Sequence, residues 1–194
     1  AITSLYTVTR WEPDRRWGTT ALLLAGGWFL LRPCLFIKAP AGLLAVIPAT
    51  PGMEFSTRFI HSVQKTPVEE FFAVNESRDG FILRMTRYQS FGVGLPFLAE
   101  EGAFREDGNF FVVEDMKRRF SRLDFRPGVG TELTLTVGGE VYRLYELVPP
   151  GALVSVYIAP CYRRWQDATD ITHTEEGVSA GAEWKAALRR GRYT

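Results

Sequence analysis

His61, Glu69 and Glu70 are the residues whose types and spacing could do chemistry. They lie in HSVQKTPVEE (His61–Glu70), together with Ser62, Thr66 and Pro67. A second unusual stretch, SFGVGLP (Ser90–Pro96), follows. A histidine beside a carboxylate can hold a charge or fix a tautomer. Strand alternation lets only one of Glu69 and Glu70 share an inward face with it. The sharper reading is therefore a His61–carboxylate pair across the hairpin that Thr66-Pro67 makes. The plainer reading is a half-buried core histidine. Likewise, the glycines of SFGVGLP serve either a bend or a loop whose exposed N–H groups hold an anion. The candidate binding set is His61, Thr66, Glu70, Ser90, Gly92 and Gly94.

Catalytic and metal chemistry find less to work with. A Ser–His–acid hydrolase could be written from Ser62 or Ser90, His61 and Glu70. However, no GxSxG elbow is present, and a serine next to the histidine in a strand points the other way. A zinc site needs about three or more ligands, and the other histidine, His173, is in the tail. Glu69, Glu70 and Ser90 offer oxygen ligands, but not at the spacing of a calcium loop. We therefore assign no catalytic residue, no metal ligand and no cofactor.

The elements that must position these residues read as short strands. FSTRF and VEEFFAV flank the first stretch, and FILRMTRY leads into the second. MEFSTRFIHS alternates, with Phe55, Thr57, Phe59 and His61 on one face. CLFIK and LLAVIP flank APAG as a hairpin, and FFVVED is a further strand. TELTLTV alternates most clearly, with Leu133, Leu135 and Val137 inward. Gly138-Gly139 then makes a two-residue turn into EVYRLYEL. ALVSVYIAP closes the series. Residues 97–109 read as a polar loop, and Lys117–Asp124 as a basic, exposed segment. The fold class is all-β: an antiparallel sandwich or barrel of about eight or nine short strands, preceded by an apolar N-terminal helix.

Composition agrees with a globular domain. Hydrophobic residues are 46% and charged residues 23% of 194, so a sizeable core can form. A net charge of +1 provides no field for nucleic acid, and no basic-aromatic stripe is present.

Trp17–Leu31 carries no charge and is bracketed by Arg15, Arg16 and Arg32. Its length is at the boundary between a signal core and a full membrane span. Trp17 and Trp28 near its ends suit the interfacial belt. Residues 1–33 thus read as a polar segment plus a membrane anchor or signal helix, 34–160 as the β domain, and 161–194 as a tail. AGAEWKAALRR in that tail has the pattern of a short amphipathic helix. The two cysteines, Cys34 and Cys161, lie at the ends of the β region. They form either a disulfide joining the first and last strands or two unpaired thiols.

The two opening stretches occur in order with other motifs: Pro51-Gly52, Phe55, His61-Ser62-Val63, Thr66-Pro67-Val68, Glu70, Ser90-Phe91-Gly92, Gly94-Leu95-Pro96, Asp107-Gly108, Phe110 and Leu135–Gly139. This arrangement resembles the family called domain of unknown function 1850, over roughly residues 34–158. Val93 departs from the alanine common in that family. The resemblance implies an accessory of TAXI-type TRAP transporters, since family members are encoded beside or fused to their permeases. It implies as partners the permease subunit and, as a second candidate, the solute receptor. The expected location is the cell membrane, with one pass through Trp17–Leu31 and the β domain extracytoplasmic. The alternative is an independent periplasmic domain that binds a small ligand or metal.

Overall fold

Twelve strands build the domain, in a computed structural model that describes residues 26–90 and 102–169. In chain order they are β1 (Pro33–Ala39), β2 (Gly42–Pro48), β3 (Glu54–Ile60), β4 (Pro67–Val74), β5 (Phe81–Tyr88) and β6 (Ala103–Asp107). They continue with β7 (Phe110–Glu114), β8 (Arg118–Phe120), β9 (Arg122–Phe125), β10 (Thr134–Val137), β11 (Glu140–Arg143) and β12 (Val154–Pro160). A four-stranded sheet runs β2-β1-β12-β9. An eight-stranded sheet runs β11-β10-β3-β4-β5-β7-β6, with β8 paired to β5. All the strand pairs are antiparallel.

The two sheets share one core. Leu35, Ile37, Val154 and Val156 of the small sheet pack in the same buried cluster as Phe55, Phe72, Phe81 and Leu135 of the large one. Alternation explains this directly. Residues two apart on a strand share a face, so each strand contributes every second side chain to the space between the sheets. Phe55 stacks on Phe72 at 5.1 Å and meets the edge of Phe81 at 5.0 Å. Both sheets are open, so the sandwich reading holds and the barrel reading does not.

Three strands exceed the expected eight or nine. β6 arises from a segment read as loop: all five residues are exposed, so no apolar period marks it. It is an edge strand, and its charges suit that place. β8 and β9 come from the basic segment at 117–124. Elsewhere, the strand expected over 140–147 ends at Arg143, and Leu144–Leu147 forms a helical turn. Leu133, Leu135 and Val137 do point inward, all being buried. The Gly138-Gly139 turn forms as expected, with φ of 60° and 84°, values costly for any residue with a Cβ.

Register defines two ends. β1 starts and β12 finishes at one end, where Cys34 and Cys161 form a disulfide with Cα atoms 5.1 Å apart. β2 also finishes there, and the short link through Ala49 delivers the chain to the start of β3. β3 then runs to the opposite end, where Ile60 N–H donates to the Thr131 carbonyl (2.7 Å) and the β3–β4 connection turns. We call these the disulfide end and the hairpin end. Residues 26–31 are helical and enter β1 at the disulfide end. The rest of Trp17–Leu31, and the helix expected in the tail, lie outside the described residues. Among the described residues, no helix is long and apolar enough to cross a membrane.

Candidate functional site

The β3–β4 connection is built from its own backbone. Ile60 opposite Pro67 is the last strand pair. His61 N–H donates to the Thr66 carbonyl (2.9 Å), and Lys65 N–H donates to the His61 carbonyl (2.9 Å). Lys65 adopts φ 55°, which closes the turn. The His61 side chain then caps it. Its Nδ1 accepts from the N–H of Val63 (3.3 Å) and of Gln64 (3.2 Å). Nδ1 is thus the acceptor that closes the turn. The cap leaves Ser62, Val63, Gln64 and Lys65 exposed as a presented tip.

Ser90, just past β5, joins this tip by donating from Oγ to Gln64 Oε1 at 3.4 Å. The first residue of the second stretch therefore meets the first stretch at the hairpin end. Thr66 sits at the base of the turn, with Oγ1 buried and no hydrogen-bond partner among the described residues. Gly92 and Gly94 lie outside the described residues.

Glu70 belongs to a different place. Its register partners are Thr57 on β3 and Thr86 on β5, not His61. Parity along β4 puts it on the core face with Val68 and Phe72, both buried. Thr57 Oγ1 donates to Glu70 Oε2 at 3.1 Å. Burial raises the Glu70 carboxyl above its usual range, against the Thr57 hydrogen bond and the field of Arg118, which both lower it. Thr57 and Thr86 are themselves buried, and Thr86 Oγ1 reaches Met116 Sδ at 3.6 Å. The result is a polar row, Thr57–Glu70–Thr86, crossing three strands inside the sandwich.

The outer face of the same sheet carries a matching row that residue types alone did not single out. Register aligns Arg143, Thr134, Arg58, Glu69, Arg87, Val112 and Arg105 across seven strands. Glu69 bridges Arg58 (3.6 Å) and Arg87 (3.3 Å). Arg87 also lies over the Phe110 ring at 3.7 Å. A groove of about 440 Å³ opens beside this row, lined by Ser56, Arg58, Glu69, Thr134, Arg143 and Tyr145 among others. Its signal in the sequence was the polar half of each alternation. What the sequence could not show was which strands become neighbours. Among the described residues, no group of three or more His, Cys, Asp or Glu could hold a metal.

Residues 55–144 match the model of the family described as "Domain of unknown function (DUF1850)". Over that stretch the chain is similar to this family. The stretch takes in the His61 turn, the Thr57–Glu70–Thr86 row and the outer arginine row. Of the small sheet, the DUF1850 match includes β9 but not β1, β2 or β12. No curated protein and no solved structure matches the chain.

Proposed function

We propose that this protein is an extracytoplasmic, membrane-anchored accessory of a TAXI-type TRAP transporter, and that its β domain binds the permease or the solute receptor. The observation that carries the binding role is the open outer face of the eight-stranded sheet. It is lined by arginines, hydroxyls and a bridging glutamate, and it ends at the exposed Ser62–Lys65 tip. Interfaces use arginine and aromatic groups of this kind as anchors. The Cys34–Cys161 disulfide supports an oxidising compartment. The transport context rests on the resemblance in His61–Glu70 and Ser90–Pro96.

Co-purification in mild detergent tests the reading. The wild-type chain is expected to retain the permease subunit or the receptor, and Arg58→Glu with Arg143→Glu to lose it. Failure of the wild type to retain either partner would remove the proposal.

The groove of about 440 Å³ also favours a second reading, a periplasmic domain that binds a small polar ligand. A thermal-shift screen of small carboxylates and amines checks it. Stabilisation by a compound that Arg58→Glu abolishes is the expected sign.

A further inference from the structure

The disulfide end presents an unusual surface. Eight large apolar side chains are exposed among the described residues, and four of them, Trp28, Phe29, Leu31 and Trp165, lie at this one end. They come from two parts of the chain remote in sequence. Residues 26–31 close the uncharged run that starts at Trp17. Trp165 belongs to the helix Arg163–Thr169, which leaves the end of β12.

The two parts are fastened together. Cys161 N–H donates to the Arg32 carbonyl (2.9 Å) and Tyr162 N–H to the Leu30 carbonyl (3.0 Å). The disulfide ties the same two segments covalently. Trp165 N–H in turn donates to the Tyr162 carbonyl (3.2 Å), so the Trp165 backbone is one helical turn from the residue that bonds Leu30.

Cations surround these apolar groups. The Arg32 guanidinium lies 3.7 Å from the Phe29 ring centre, and that of Arg164 lies 5.6 Å from Trp165. Arg163 is exposed on the same turn. Residues 26–32 and 161–166 hold three arginines and no acidic residue, and Asp167 follows in the helix. Tryptophan beside arginine suits the lipid headgroup boundary. Indole prefers that depth, and arginine places its stem in the apolar layer and its charge among phosphates.

We infer that the disulfide end rests on the bilayer, with Arg163, Arg164 and Trp165 forming a second membrane contact beside the N-terminal segment, on a surface containing anionic lipid. The inference builds on the membrane-anchor part of the function proposed above. It adds an orientation: the domain stands on this end, and the hairpin end, about 20 Å away along seven-residue strands, faces the aqueous phase.

Spin labels on the full chain in lipid nanodiscs test it, with the native disulfide intact. One label is placed at Gln166→Cys and a control at Val129→Cys, in the connection between β9 and β10. In discs containing phosphatidylglycerol, the label at 166 is expected to gain collisions with oxygen and lose those with a water-soluble nickel chelate. The label at 129 keeps nickel access. Arg163→Glu with Arg164→Glu should return the label at 166 to water.

A label at 166 open to nickel in the wild type, while the chain stays with the disc, overturns the second contact and leaves the anchor standing. Protection from both reagents would mean cover by protein, a second copy included, and also overturns it. An unchanged signature in the double arginine variant would overturn the role of anionic lipid. A chain that does not travel with the disc fails the anchor and the inference together.

Discussion

The two ends of the sandwich are closed by different means. At the disulfide end a covalent bond joins residues 127 apart in sequence, and Phe36 stacks on Tyr157 at 5.3 Å beside it. Cys34, Phe36, Ala159 and Cys161 form a small buried cluster of their own. At the hairpin end, the tip itself is shaped by bonds a few residues apart: His61 to Val63 and Gln64, and His61 to Lys65 and Thr66. Ile60 to Thr131 and Ser90 to Gln64 tie its base and side to distant residues without a covalent link. Long-range closure fixes a position in the whole fold. Short-range closure shapes a tip that can move without unfolding the rest. One end is thus closed by a covalent long-range link and the other by a local turn with an exposed tip.

If that comparison is right, the largest loss follows from opening the disulfide. Replacing Cys34 and Cys161 by serine frees a loop of 127 residues. The chain-entropy account puts the cost at about 5 kcal/mol. Urea unfolding monitored by tryptophan fluorescence measures it. A loss no larger than that from a surface change would break the comparison at once.

A second test at the same end uses Gly80, between β4 and β5. A Cβ there would strike the carbonyl oxygen of Phe120, which is backbone and cannot swing aside. Gly80→Ala is expected to destabilise by about 1–3 kcal/mol, as overpacked sites do. Gly52→Ala is a contrast at that end with a different cause. Nothing lies within 4 Å of the added carbon, but φ is 73°, so the cost comes from backbone strain alone. The midpoint of thermal unfolding reads both.

The hairpin end should respond less, and locally. His61→Ala removes the cap and is expected to cost about 1 kcal/mol, like loss of a helix cap. Amide exchange at Val63 and Gln64 should quicken while Leu135 keeps its protection. His61→Asn can accept the same N–H groups through its side-chain oxygen and should restore most of the protection. If alanine left the exchange of both amides unchanged, the Nδ1 cap would have no energetic weight.

How far the sequence could anticipate this depends on where each residue's information lies. β10 was readable because Leu133, Leu135 and Val137 alternate against Glu132, Thr134 and Thr136. The Gly138-Gly139 turn was readable because only glycine takes those angles cheaply. β6 was not, since AFRED has no buried side chain and is a strand only because β7 pairs with it. β8 and β9 do send Phe120, Leu123 and Phe125 to the core, but their arginines concealed that pattern. For the site, the meeting of HSVQKTPVEE with Ser90 was legible as two odd stretches flanking two strands. The position of Glu70 was not. It depends on β3, β4 and β5 lying side by side with Thr57 and Thr86 opposite it, which is a long-range fact. The disulfide was one of two open readings, and the pairing of β1 with β12 decides it.

Glu70 joins the two ends' logic, because it is a charge placed in the middle of the core rather than at either pole. Burial disfavours its carboxylate, so the folded protein holds a proton at Glu70 to higher pH than the unfolded chain does. Between the unfolded carboxyl range and the raised folded value, the native state binds more protons than the unfolded state. Stability contributed by this group is therefore present at low pH and falls as pH rises through that window. Glu70→Gln keeps an acceptor for Thr57 and removes the ionisation. The variant should match the wild type below the ordinary carboxyl range and exceed it in stability at neutral pH, a small effect against the disulfide. Urea midpoints across pH 4 to 8 would show two curves that diverge upward from acid. A variant that is instead less stable at neutral pH would mean that Arg118 and Thr57 outweigh burial, and that the carboxylate is a partner of that arginine rather than a cost carried by the core.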